Sequence, residues 1–389
     1  MWRHVASNAL TFFVVALFLL GGLVTWGSGQ YSAAGPLAQA ICLRVEAGSN
    51  MRAVRDDLAA QGAISSGIIF GVAADYSGKA DQLKAGSFLL AEAVSMQDIV
   101  DIVTRGGQST CGTEVVYRIG IARVLIEVRQ LDAATNRFEE IAKFEPAVAP
   151  VPPEYTAVRA EADTRFRIAV AEGVTSWQVM TGLNGLDLLE GDVAEVPPEG
   201  SLAPDSYEVI PGAQVADILA LMTSAQAAIL AEEWTKRADG LPVATPEEAM
   251  ILASIIEKET GVVDERPVVA SVFVNRLRQG MKLQTDPTVI YGVTNGQGVL
   301  GRGLRASELR AATPYNTYVI DGLPPTPIAN PGRASIAAAL NPATTDFVFF
   351  VADGTGGHAF ANNLADHNVN VARWREIEAE QAAAAGTDN

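Results

Sequence analysis

The sequence predicts an α+β protein with a single N-terminal transmembrane helix, a small α+β unit behind it and a larger mixed α/β unit beyond. Three observations carry this. They are an uncharged apolar run near the amino terminus, a short strand-helix-helix-strand pattern after residue 41, and a longer mixture of helical and strand periodicities from residue 164 onward. With 389 residues, 49% of them hydrophobic and 19% charged, the chain is long enough for two or three packed domains and too apolar for global disorder.

The run from Ala9 to Trp26, ALTFFVVALFLLGGLVTW, carries no charge. As a helix rising about 1.5 Å per residue it spans roughly 27 Å, close to the thickness of a bilayer core. Arg3 precedes it and the next basic residue is Arg44, so the positive-inside rule leaves residues 1–8 in the cytoplasm and exports the rest. The rival is a cleaved signal peptide, with Ala38-Gln39-Ala40 as the processing site. The apolar run exceeds the usual h-region of about 7–15 residues, and that site lies far downstream of it. Ile41 stands where a lipoprotein signal needs a small residue before Cys42.

Residues 31–40 read as a tether of small residues. After it, Leu43-Arg44-Val45 starts a strand, Asn50 caps a helix through Leu58, and Gln61-Gly62 ends that helix. Ile68 to Tyr76 forms a second helix. Lys84 to Leu90 alternates as a strand, and Ser95 caps a helix from Met96 to Thr104 that stops at Gly106-Gly107. This order in a small unit suits a binding module. Residues 110–163 form an insertion and linker of uncertain fold: VVYRIGIARVLIEV is strand-like, AATNRFEEIAKF is charged with a helical look, and PAVAPVPP (146–153) is an extended linker. Arg165 to Val170 reads as a strand, followed by a helix from Ser176.

Thr245-Pro246-Glu247-Glu248 is a helix start, with a capping Thr, Pro at the first helical position and Glu at the capping-box position. The following AMILASIIEKET is apolar nearly all round until Glu257, the pattern of a buried helix with a polar end at which Gly261 is the expected terminator. A second helix runs from Glu265 to Gln279. Asp353-Gly354 reads as a hairpin turn between Phe347–Val351 and His358–Phe360. The glycines beside His358 lack the Lys-Ser/Thr ending of a phosphate loop.

Several function classes drop out. A net charge of −17 with no dense basic stretch excludes nucleic acid as the main partner. The three histidines, His4, His358 and His367, rule out a multi-histidine metal centre, and no cofactor is expected. Cys42 and Cys111 match no zinc or redox spacing, and the sequence leaves open whether they pair.

The chemistry points to Glu259. A carboxyl at the end of an apolar helix has its acid form favoured, as a general acid for a glycosidic oxygen requires. The alternative is that Glu257, Lys258 and Glu259 form a solvated helix end. Two residues apart on a helix, Glu257 and Glu259 face roughly 200° apart and cannot enter one site together. Around Glu259, the residues Asn275, Gln284, Asp286, Tyr291, Tyr315, Asn316 and Tyr318 supply the amides and rings that sugar hydroxyls and sugar faces need. Each taken singly also fits an ordinary loop or capping role.

Glu257-Lys258-Glu259-Thr260, VFVNRL (272–277), LQTDPTVIYG (283–292), TPYNTY (313–318), GLPP (322–325), IANPG (328–332) and FVADG (350–354) together resemble the endolytic murein transglycosylases, the YceG-like family, in order and over most of residues 9–375. The resemblance implies an inner-membrane helix at 9–26, a LysM-like domain at 41–109, a catalytic domain at 164–375 and a tail at 376–389. It implies Glu259 as the catalytic residue of a lytic transglycosylase that cuts the β-1,4 bond between N-acetylmuramic acid and N-acetylglucosamine, leaving 1,6-anhydro ends and terminating nascent strands. A muramidase-type hydrolase pairing Glu259 with Asp286, and a non-enzymatic wall-binding scaffold, are the alternatives. The expected partners are glycan strands, the inner membrane and peptidoglycan synthases of the elongation or division machinery. The extra sequence between Gly107 and Arg165 departs from the family's pattern.

Overall fold

The computed structural model describes residues 2–46, 48–105, 110–161 and 163–386. The predicted stop at Gly106-Gly107 lies outside the described residues. Helix α1 (Trp2–Ser32) exposes its large apolar side chains from Leu10 to Trp26 and is long and apolar enough to cross a membrane. The helix continues past the apolar run and takes in the first two residues of the expected tether.

The chain divides into two compact units. The first comprises residues 1–116, 126–144 and 148–166, and the second 117–125, 145–147 and 167–389. In the first unit the order is β1 (Ile41–Val45), α2 (Met51–Ala60), α3 (Gly67–Tyr76), β2 (Gly86–Leu90) and α4 (Met96–Thr104). Side-chain caps from Asn50, Ser66 and Ser95 start the three helices by accepting backbone N–H groups that a helix leaves orphaned. β1 and β2 pair antiparallel with Ile41 opposite Leu90 and Val45 opposite Gly86. Leu43, Leu58, Phe70, Leu90, Ile99 and Val103 fill the core between them, and Tyr31 of α1 packs against it.

Residues 110–163 contain β3 (Thr113–Ile119), β4 (Val124–Asp132), β5 (Arg137–Phe144) and α5 (Pro153–Arg159). With β6 (Arg165–Val170) and β7 (Ser206–Val209) these strands build a five-stranded sheet in the order β5-β4-β3-β6-β7, and β3, β4 and β6 contribute residues to both units. The segment expected to be helical is therefore a strand. β5 pairs antiparallel with β4 across a bulge at Val128/Arg129, and the turn before it places Asn136 at φ +51°, a left-handed conformation that Asn tolerates. The Pro-rich linker also ends one residue early, because Pro153 opens α5 at a position where its missing N–H costs nothing.

Cys42 and Cys111 form a disulfide with their Cα atoms 5.7 Å apart. The cross-link closes a span of 69 residues, which by loop-closure entropy stabilises this unit by about 4 kcal/mol. Reduction, or replacing both cysteines by Ala, is expected to lower the melting temperature of the first unit. An unchanged melting curve after complete reduction would show that the bridge adds nothing.

The second unit is helical around α8. Its elements outside the five-stranded sheet are α6 (Ser176–Asn184), α7 (Val215–Thr235), α8 (Pro246–Glu259), α9 (Arg266–Arg278), α10 (Asp286–Thr294), α11 (Arg333–Leu340), β8 (Phe349–Ala352), β9 (His358–Ala361) and α12 (Leu364–Gly386). α7, α9, α10 and α11 all pack on α8, which is why every residue of α8 from Ala249 to Ile256 is buried. α7 is also long and apolar enough for a membrane span, but one of its faces, with Ile218, Leu219, Met222, Gln226 and Glu233, is buried in protein. β8 and β9 form the expected hairpin around Asp353, whose N–H donates to Gly357 O at 3.0 Å.

Candidate active site

α8 is fixed at its start by Thr245, whose Oγ1 accepts from Glu248 N at 3.2 Å, while Glu248 Oε2 accepts from Ala244 N at 2.6 Å. It ends at Glu259 because Thr260 turns extended at φ −139°. Gly261 keeps out of the left-handed region, so the expected glycine terminator plays no such part. The three polar side chains at this end part company. Glu257 turns inward: Oε1 accepts from Arg266 Nη2 at 3.3 Å and Oε2 from Gly332 N at 2.9 Å, with its side chain only 4% exposed. Lys258 Nζ donates to Gly173 O at 3.2 Å. Glu259 faces the loop after α9 and accepts a hydrogen bond from Thr285 Oγ1. The solvated helix end considered from sequence is thus wrong for Glu257, because its carboxylate meets a buried guanidinium.

Burial pushes the Glu259 carboxyl above the usual carboxylate range, and the nearby Asp286 charge adds to this. The Thr285 hydroxyl, Arg276 and His358 oppose it without cancelling it. The acid form is thereby favoured relative to a solvated glutamate.

The loop facing Glu259 is held at unusual cost. Gln284 sits at φ +50°, which a side chain with a Cβ rarely adopts, and such strain persists only where neighbours over-determine it. Here Gln284 N donates to Thr317 O at 3.1 Å, Thr285 N to Thr317 Oγ1 at 3.0 Å, and Thr288 Oγ1 to Thr285 O at 2.8 Å. Arg276 Nη1 ties Leu283 O at 2.6 Å while its Nε ties Val348 O at 2.6 Å. The clamp leaves Gln284 and Asp286 exposed on either side of Thr285, the residue bonded to Glu259. Tyr318 donates to Asp286 Oδ1 at 2.7 Å, and burial together with that carboxylate raises the phenol's pKa.

Asn275 and Asn316 are placed differently. Asn275 Nδ2 donates to Thr345 O and Phe347 O at 2.9 and 3.0 Å. Asn316 is fully buried, its Nδ2 donating to Glu308 O, Leu309 O and Ala311 O while its Oδ1 accepts from Tyr318 N. Both amides are occupied with backbone. Tyr291 and Tyr315 stack at a tilt, 5.0 Å between centroids, with Tyr291 donating to Glu199 Oε2 at 3.1 Å and the Tyr315 hydroxyl 2.8 Å from Thr326 Oγ1. Burial raises the pKa of Glu199 as well. Sequence reasoning missed Glu199, Thr285 and Thr317. Thr285 stood inside the LQTDP run and could have been found there, whereas nothing local marks Glu199.

His358 places Nδ1 2.8 Å from Glu265 Oε2 and donates its backbone N–H to Glu265 Oε1. Among the described residues no group of three His, Cys, Asp or Glu side chains could hold a metal ion. Clefts of about 400 and 450 Å³ lie around Trp177 and Gln226, and neither is lined by Glu259, Thr285 or Asp286.

A model of the YceG-like family matches residues 43–373. Two endolytic murein transglycosylases, from Streptococcus pneumoniae strains D39 and R6, are each 28% identical over 342 residues, 85% of this chain and 58% of theirs. The chain thus spans 58% of the length of these pneumococcal relatives. An endolytic murein transglycosylase of Bacillus subtilis is 43% identical over 119 residues, 31% of this chain and 32% of that one. The crystal structure of a YceG-like protein from Listeria monocytogenes aligns over 85% of this chain and 98% of that chain, with 24% identity and a TM-score of 0.43.

Proposed function

The chain belongs to the YceG-like family, and from that membership we propose that it is an endolytic lytic transglycosylase of peptidoglycan with Glu259 as its one acid-base group. The observation that carries the proposal is the desolvated Glu259 carboxyl at the end of an apolar helix, beside the exposed Gln284 and Asp286. The names of the pneumococcal and Bacillus relatives support the same reaction.

In this reaction no water is consumed. Glu259 donates its proton to the oxygen between N-acetylmuramic acid and N-acetylglucosamine, and the bond to the anomeric carbon breaks. The carboxylate then takes the proton of the muramic C6 hydroxyl as that oxygen closes the 1,6-anhydro ring, so one carboxyl serves both steps. Gln284, Asp286, Tyr291 and Tyr315 are the side chains we assign to the glycan. Asn275 and Asn316 enter by holding the loops that present them.

The remaining assignments rest on the same premise. Residues 9–26 anchor the protein in the inner membrane with residues 1–8 cytoplasmic and the catalytic domain, 164–375, periplasmic. The 41–109 unit acts as a LysM-like glycan-binding module, and synthases of the elongation or division machinery are the partners. The Cys42–Cys111 disulfide suits an oxidising, exported location.

A hydrolase using Asp286 as second carboxylate is the competing reading, since Asp286 lies close enough to act on the Glu259 charge. Mass spectrometry of fragments released from purified glycan strands separates the two. Anhydro ends are expected, and reducing ends would establish hydrolysis. N-terminal sequencing of the membrane fraction is expected to read from residue 1 or 2, whereas a terminus at Ile41 would mean that the anchor is a cleaved signal.

A further inference from the structure

α3 poses a problem that the catalytic reading leaves untouched. Its sequence, GIIFGVAADY, is apolar nearly all round, with Asp75 its one charge. One side is used: Phe70 and Ala74 are buried in the core of the first unit, with Ile69 packed against it. The other side is not. Ile68, Val72 and Tyr76, four residues apart and so on one face, are 80%, 64% and 95% exposed. A helix that is apolar on every side belongs in a fully buried setting, and a contiguous exposed apolar stripe marks an interaction surface.

The position of α3 identifies what covers it. α1 packs against both α3 and α4, and Tyr31 in the last turn of α1 is part of the same core. The apolar run of α1 ends at Trp26, so Tyr31 stands about 7.5 Å further along the helix axis. The interfacial layer between the hydrocarbon core and water is about 5–7 Å deep on each side. What packs on the last turn of α1 therefore sits at the outer edge of the headgroup layer, where it meets water. We infer that the Ile68–Val72–Tyr76 face of α3 lies on the outer surface of the membrane that α1 spans, so that the first unit is held against the bilayer at a second point and cannot swing freely on its anchor.

The chemistry of the stripe fits that occupant. Tyr has an apolar ring and a polar tip, which places it at a headgroup boundary, and the two aliphatic side chains reach below it. Asp75, on the flank of this face, stays at headgroup level in contact with water. A glycan strand fits less well, because Ile68 and Val72 offer nothing to sugar hydroxyls. The inference rests on α1 being a retained anchor, and the test is chosen to keep the two claims apart.

The full chain, with its native disulfide intact, would be reconstituted in phosphatidylethanolamine–phosphatidylglycerol nanodiscs after labelling variants that add one free cysteine, Val72→Cys and Glu92→Cys, with an environment-sensitive nitrobenzoxadiazole probe. Both positions are exposed, so both variants should fold, as an unchanged melting temperature would verify. The probe at 72 is expected to emit at shorter wavelength than the probe at 92 and to lose intensity when lipids carrying a doxyl quencher near the headgroup are included. Water-like emission from both positions overturns the inference. A short-wavelength signal at 72 that doxyl lipid does not quench also overturns it, because a second copy or another protein then covers the face. Release of the protein by alkaline carbonate is a different result: it removes the anchor itself.

Discussion

Glu259→Gln is expected to abolish release of anhydro-ended glycan while leaving the fold intact. Removing a general acid costs about a hundredfold to ten-thousandfold, and the loss belongs at the upper end because the same group acts again as base. The structure adds a second expectation with the opposite sign. The folded carboxyl has a raised pKa, so the stability it contributes is present at low pH and is lost as pH rises through that raised value. Wherever the unfolded chain ionises this glutamate, the folded state therefore carries a penalty that the neutral Gln, which still accepts from Thr285, does not. The variant should melt no lower than wild type at pH 7, with the difference shrinking as pH falls toward the ordinary glutamate range. The alkaline limb of wild-type turnover, where the general acid loses its proton, should likewise lie at higher pH than a solvated glutamate gives. Turnover by Glu259→Gln near the wild-type rate would remove Glu259 from the mechanism.

How much of this was legible in the chain depends on whether the cause is local. The start and buried body of α8 could be read because their signals adjoin one another: a capping Thr245, Pro246 in the first turn, then an unbroken apolar run. β5 could not. Of its eight residues only Phe144 is buried, so the two-residue alternation that reveals a half-buried strand is missing and RFEEIAKF resembles a charged helix. Its strand state comes from pairing with β4 and from Arg129 resting over the Phe138 ring at 4.5 Å. The site divides in the same way. Glu259 was visible as the polar end of an apolar helix, and Gln284 and Asp286 as polar residues in a nearby loop. Its hydrogen-bond partner Thr285 is 26 residues away, and the link from Tyr291 to Glu199 crosses 92. Residue type alone made Asn275 and Asn316 look like sugar-binding amides, and only the folded chain reveals the carbonyls that occupy them.

Glu257→Gln should give the reverse pattern, with turnover kept and stability lost. Glu257 and Arg266 are 4% and 7% exposed, and the guanidinium has few alternatives, since its Nε has no partner and its other acid, Glu172, is 42% exposed. Breaking a buried pair from one side costs about 3–5 kcal/mol. The lower end applies here because Gln still accepts from Gly332 N and Glu172 remains. At about 2–4 °C per kcal/mol for a unit of this size, the melting temperature should fall by roughly 6–12 °C. The buried charge left behind, more than the lost attraction, is the cause. Replacing both Glu257 and Arg266 by Met should therefore cost less than the two single Met replacements added together, as coupled sites in contact require. Additive losses would show that the two side chains act independently. A Glu257→Gln enzyme that keeps its melting temperature but loses turnover would transfer the catalytic assignment from one carboxylate of α8 to the other.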